Sequence, residues 1–425
     1  MARKKYRILM FAPAFAPFAN PEAIVNSKLV LAFLDAGWEV DVVSRNLAKE
    51  STYNYGSEGV EPWLPLKKVT HIIKYKSGSK LRRFGGTLWS GIRMRHPVEG
   101  CRWAAHAANL ALRMHQEKGY DVIISRALPN FAHLPALLVT RLTGLPWIAN
   151  WNDATGAKNP PPVGEGVNAS LGFVTERFLD EVARTASWHT FPSDRMRRYI
   201  CQYLGNRTEY RSSTIPHVLL ESYQSNCRVK SSVFTLCYAG NLYAGRDPSV
   251  FFQALANFIE KKSLDERLKV NLLGLEGIGL NNLVKRYHLE KNVTFWGPMG
   301  YTTTLDRCLE SDVLIVLEAP YAEGIYLPSK FVDYVQTGRP ILAISPTVGT
   351  LRDLLSVYGG GIAADCTSVE DIVLALENLY AEWMRGTLAE VYGSHRLYDL
   401  FAADTVMERY KTILSEVERP LCAGR

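Results

Sequence analysis

The chain has 425 residues, 47% hydrophobic and 21% charged, which is long enough for two cores and too apolar for a disordered tail or a fibre. The formal net charge is +7, and seven scattered cysteines form no C-x-x-C pair. That usage excludes a zinc knuckle or disulfide frame and fits a reducing compartment, and no apolar run approaches the roughly 18 residues of a membrane span.

The opening "MARKKYRILMFAPAFAP" starts basic, but its apolar stretch is short and broken by Pro13 and Pro17. It reads as a first strand and not as a secretory leader, so a cytoplasmic protein is expected, with contact at the inner face of the cell membrane as an option. "EAIVNSKLVLAFLDAG" follows with helical spacing at Ile24, Leu31 and Leu34, and "WEVDVVS" is the next strand. This is a βαβ unit, which joins parallel strands.

From Lys67 to Lys118, twelve Lys or Arg face only Glu99 and Glu117, with Phe84, Trp89 and Trp103 interleaved. An anionic partner is expected there: basic residues beside aromatics suit anionic lipid at a membrane surface, nucleic acid would exploit the same charge, and a solvated basic face with buried Trp is at least an equal alternative. "YDVIISRA", "FAHLPALLVTRLTG" and "LPWIANWND" then repeat the strand, helix, strand order.

The polar stretch from Arg207 to Ser232 breaks the rhythm. Beyond it come the strands "VFTLCYAG", "LKVNLLG", "NVTFWG", "DVLIVLE" and "RPILAIS", alternating with helical segments. The expected class is therefore α/β, with two Rossmann-like parallel-sheet domains: residues 1–215, a linker at 216–232, and residues 233–395. The last helical stretch, within 396–425, has no strand after it and is expected to pack back on the first domain. No strand leads into G-x-G-x-x-G, since "GLEGIG" has the wrong spacing, and no G-x-x-x-x-G-K-[ST] loop exists, so an ordinary dinucleotide or P-loop site is disfavoured.

Ligands of open parallel sheets bind beyond the carboxyl ends of the strands. In "YAGNLYAGRDP", Gly240 and Asn241 follow a strand, and Arg246 precedes a helix starting near Pro248. In "APYAEGIYLPSKFVDY", Pro328 or Ser329 starts a helix whose free N–H groups suit an anion. Lys330 stands beside them, and Asp333 lies one turn in. Cations and amides for a diphosphate, then a carboxylate for a sugar diol, suit a nucleoside diphosphate.

"YAGNLYAGR", "VTFWG", "SDVLIVLE" and "LPSKFVDYVQTGRPIL" resemble the nucleotide-sugar-binding half of GT-B glycosyltransferases, in particular the retaining group 1 (family 4) enzymes. "PEAIVNSKLVLAFLDAGWEVDVVS" and "GLPWIANWND" resemble their first half. The resemblance implies an acceptor-side first domain and a donor-side second domain, and a hexosyltransferase-like activity in surface polysaccharide or lipopolysaccharide assembly. It places Arg246 and Lys330 on the donor diphosphate, Asp333 on the ribose, Pro298 and Met299 along the base, and residues 323 to 326 against the transferred sugar. Asp333 takes the second place of the family's E-x7-E motif, and Ile325 stands where the first acid belongs. Glu323, two residues early, either replaces it or lies on the surface.

The family's Gly-rich turn is replaced by "APFANPEA", with Ala19 and Asn20 as candidate phosphate neighbours. No D-x-D pair occurs, so no metal and no cofactor beyond the donor are expected. Asp153, at the end of "WIANWND", is the candidate for a sugar contact and equally for a turn cap. His133 and Arg126 are further cleft candidates. A sugar-nucleotide epimerase on the same double fold and a non-catalytic nucleotide-binding module remain the alternatives.

Overall fold

A computed structural model describes residues 5–18, 20–45, 61–73, 80–154, 172–205, 207–220, 232–242, 245–275, 277 and 279–418. The first sheet contains β1 (Arg7–Phe11), β2 (Glu39–Arg45), β3 (Thr70–Ile73), β4 (Val122–Ala127), β5 (Trp147–Trp151), β6 (Trp188–Phe191) and β7 (Ser212–Thr214), in the order β3-β2-β1-β4-β5-β6-β7. The second contains β8 (Phe234–Ala239), β9 (Leu268–Leu273), β10 (Val293–Gly297), β11 (Val313–Leu317), β12 (Ile341–Ser345) and β13 (Gly361–Asp365), in the order β10-β9-β8-β11-β12-β13. All their pairings are parallel.

The crossovers are helical. In the first half they are α1 (Pro21–Asp35), α2 (Lys80–Met94), α3 (Cys101–Lys118), α4 (His133–Thr143), α5 (Phe173–Thr185) and α6 (Asp194–Tyr203). In the second they are α7 (Ser249–Lys262), α8 (Leu280–Arg286), α9 (Tyr301–Leu309), α10 (Ser329–Thr337), α11 (Thr350–Tyr358) and α12 (Val369–Arg385).

Each sheet is covered on both faces, which is why its strands read as continuous apolar runs and not as alternating ones. Side chains of period two divide between two cores. Leu9 and Phe11 of β1 pack with Trp103, Trp147 and Phe178, while Ile8 and Met10 pack on the other face with Val30, Phe33 and Tyr410. In the second half Leu236 and Ile315 face Phe252 and Phe258, and Cys237 and Leu314 face Phe331 and Val335.

The C-terminal helix, Ala403–Glu418, crosses back onto the first half. Tyr410 meets Phe33 edge-on at 5.0 Å, and Arg409 donates to the Thr214 carbonyl at 2.9 Å. Most of the expected linker, 221 to 231, lies outside the described residues. No helix of the described residues is long and apolar enough to cross a membrane.

Candidate functional site

Parallel pairing sends the loops after β1, β4 and β5 to one edge of the first sheet, and those after β8, β9 and β11 to one edge of the second. These edges meet. Ser193 donates to the Ile325 carbonyl at 2.6 Å, and His217 Nε2 donates to the Leu327 carbonyl at 3.1 Å. Lys28 of α1 pairs with Asp333 of α10.

On the second wall, Gly240 has φ +128°, and a Cβ there would stand 2.5 Å from Lys330 Nζ. A Cβ at Gly274 would stand 2.5 Å from the Gly240 carbonyl oxygen. Both positions need glycine for backbone freedom and for close approach. Asn241 Oδ1 accepts from the Leu275 amide at 2.8 Å, so Asn241 ties the two loops together. Lys330 Nζ lies 4.0 Å from the Tyr238 ring centroid, an attractive cation–π arrangement.

Arg246 is near enough to Asp153 and Glu318 to favour their charged forms, and to Tyr238 to favour its anion. Pro328, at the N-cap of α10, offers no side-chain bond, and Ser329 and Lys330 form the first helical turn. Pro298 is exposed and Met299 half-buried after β10. Asp333 Oδ1 accepts from Tyr301 at 2.9 Å as well as from Lys28. The expected ribose carboxylate therefore already holds two donors, one from each half.

The loop from Ala319 to Pro328 explains the departure from E-x7-E. Ile325 is 1% exposed and packs in the first half's core, the cluster holding Trp151 and Phe191. An acid at that position would bury an unpaired charge. Glu323 pairs with Arg195 of α6, and Arg195 also binds Asp353 of α11 at 2.6 and 3.0 Å. Glu323 is thus an ion-pair partner across the two halves.

On the first wall, Asp153 Oδ1 accepts from the Ala154 amide at 2.8 Å, the turn-cap role. Its carboxyl also accepts from the Tyr326 hydroxyl. Burial pushes it up to about 6, against these two bonds and Arg246. Glu22, in the first turn of α1, accepts from Asn152 Nδ2 at 2.8 Å. Burial pushes it up to about 7, with Asn152 and Arg126 opposing and Asp153 adding.

Two cleft expectations are corrected. His133 is 0% exposed, with Nδ1 2.7 Å from Ser125 Oγ and its ring 4.5 Å from that of Trp151. It is a core residue that burial holds neutral, down to about 3. Arg126 is 4% exposed, donates to Asn26 at 2.7 Å and lies beside Tyr410, so it sits between α1 and the C-terminal helix. Asn20 caps α1 by accepting from the Ala23 amide at 2.7 Å, and Ala19 lies outside the described residues.

No family model matches the chain, and no curated protein matches it. Solved structures do. HepE from Anabaena, in complex with UDP-glucose, superposes with a TM-score of 0.65 at 14% identity, covering 97% of this chain and 100% of that one. WaaG, a glycosyltransferase involved in lipopolysaccharide biosynthesis, gives 0.61 at 12%, covering 97% and 100%. A putative UDP-N-acetylglucosamine 2-epimerase from Listeria monocytogenes gives 0.59 at 12%, covering 98% and 99%. The fold is GT-B.

Three carboxyl groups of this chain are kept by burial harder to ionise than usual: Glu22 and Asp153, which repel each other, and Glu318, which lies near the same Arg246 as Asp153. Glu318 ends the run "DVLIVLE", and an acid closing an apolar strand was the only sequence signal for it. Glu22 carries no sequence signal beyond that of an acid in the first turn of a helix. Glu318 is 7% exposed, its Oε2 has no hydrogen-bond partner, and burial pushes it up to about 7 against Arg246.

The sign of the resulting pH effect follows from the raised value. The folded chain keeps the Glu318 proton where the unfolded chain has released it, so stability falls as pH rises from the ordinary 4.5 to about 7. Glu318→Gln should match the parent near pH 4.5 and exceed it near pH 8 by on the order of 2–3 kcal/mol. Urea midpoints at the two pH values check this, and an equal parent-to-variant difference at both would show that Glu318 is not strained.

Proposed function

We propose that the chain is a glycosyltransferase that moves a sugar from a nucleotide-sugar donor to a glycan or lipid-linked acceptor in surface polysaccharide or lipopolysaccharide assembly. The observation that carries the reading is the placement of Lys330 and Arg246 around Tyr238, beside the N-terminus of α10 and across the cleft from Asp153. Two cations and a helix N-terminus suit a departing diphosphate. The UDP-glucose held by HepE and the role of WaaG in lipopolysaccharide biosynthesis support these donor and acceptor classes.

In this reading Arg246, Lys330 and the α10 amides stabilise the leaving diphosphate without a metal ion. The departing phosphate takes the acceptor proton, and configuration at the anomeric carbon is retained. Asp333 Oδ2 is the oxygen offered to the ribose diol, because the Lys28 and Tyr301 bonds land on Oδ1. Asp153 and Tyr326 face the sugar. The protein works in the cytoplasm.

A second reading, a sugar-nucleotide epimerase, is favoured by the Listeria monocytogenes neighbour. Mass-detected incubation with UDP, GDP, ADP and dTDP sugars, with and without EDTA, separates the two. Slow donor hydrolysis that survives EDTA supports the transferase, interconversion of the donor supports the epimerase, and an intact donor in every case leaves a binding module. If Glu323 touches the sugar as well as Arg195, Glu323→Gln should lower turnover more than donor affinity; kcat and Kd both unchanged, measured side by side, would leave Glu323 a purely structural tie.

A further inference from the structure

An amphipathic helix normally turns its apolar face inward. α2 is built the other way round. Its large apolar residues Phe84, Leu88, Trp89 and Ile92 are 72%, 57%, 52% and 71% exposed. Spaced at i, i+4, i+5 and i+8, they share one side of the helix. The opposite side is made of small residues and one methionine: Ser90, Gly91 and Met94 are buried, Ser90 closes onto the Gly86 carbonyl at 2.7 Å, and a Cβ at Gly91 would meet Pro97 at 3.0 Å. The helix lies close against the body through glycine and serine and presents its bulk outward.

The surroundings are cationic. In sequence, the stretch from Lys80 to Lys118 holds eight Lys or Arg against Glu99 and Glu117, and of these Lys118 is already paired with Asp41. Arg93 lies over the Trp89 ring at 5.5 Å, and Arg95 and Arg113 are exposed. An occupant of this face must offer an apolar interior and a negative surface together. A second copy of the chain would bring the same positive charge to a two-fold contact, and nucleic acid has no place for four protruding apolar side chains.

We propose that α2 is an interfacial anchor that seats the protein on bilayers containing anionic lipid. Phe84, Leu88, Trp89 and Ile92 enter the headgroup boundary, while Arg93 and Arg95 meet lipid phosphates. The inference stands apart from sugar transfer, since it concerns where the protein sits and not what it does there.

Co-sedimentation with vesicles of phosphatidylcholine alone, and of phosphatidylcholine with phosphatidylglycerol, tests it. The full chain should bind the second and not the first, with binding weakened at least tenfold by raised salt. Phe84→Ser, Leu88→Ser and Ile92→Ser together should reduce binding at least tenfold with Tm unchanged, and Arg93→Glu with Arg95→Glu should do the same without touching the apolar face. Absence of binding to either vesicle overturns the proposal, as does parent-like binding by both variants. Sedimentation showing a dimer of the parent that the serine variant loses would assign the face to a second copy instead.

Discussion

Arg246→Ala and Lys330→Ala should each weaken nucleoside diphosphate binding at least tenfold, about 1.4 kcal/mol. Each removes a charge-assisted bond worth about 1.5–3 kcal/mol, and neither residue caps a helix through its side chain. Lys330→Met is the control for packing, because it keeps a long unbranched side chain beside Tyr238 and loses the ammonium that lies over the ring. Titration calorimetry with UDP, GDP, ADP and dTDP measures the effect and names the base. Should both alanine variants bind like the parent, the diphosphate site is not where the cations meet, and the proposed reaction loses its main support.

Lys28→Met should destabilise the fold by about 3–5 kcal/mol, the range for removing one partner of a buried ion pair. Lys28 is 3% exposed and its partner Asp333 15%. Without Lys28, Asp333 keeps the Tyr301 hydroxyl but has no cation paired with it across the cleft. Changing Asp333 to Leu in the same chain should recover much of the loss, because the orphaned charge then disappears. Thermal denaturation of the single variants and the double variant closes the cycle, and a loss below about 1 kcal/mol for Lys28→Met would show that the pair does not hold the halves together.

The order of strands and helices was legible where apolar runs were long. "YRILMF", "DVIIS" and "DVLIVL" could only be buried parallel strands. β6 and β7, of four and three residues, were not legible, since "WHTF" and "SST" carry too little apolar sequence. β13 starts inside a run of three glycines, which masks it. Within the site, Arg246 and Lys330 stood out because each sits at the start of a helix, where a local rule applies. Lys28, Glu22 and Tyr301 did not, since their partners come from distant parts of the chain. His133 misled for the same reason: nothing near it in sequence reveals that Trp147 and Trp151 close over it.

The side chain of Ile325 belongs to the second half by sequence and to the first half by burial. It acts as a bolt shot across the seam between two leaves of a hinge. Any widening of the cleft must leave this side chain in place and stretch the chain between Glu318 and Pro328, or draw it out into water at about 1.5–3 kcal/mol. In either case the loop from Ala319 to Pro328 is fastened to the opposite leaf, so the cleft changes shape whenever the hinge turns.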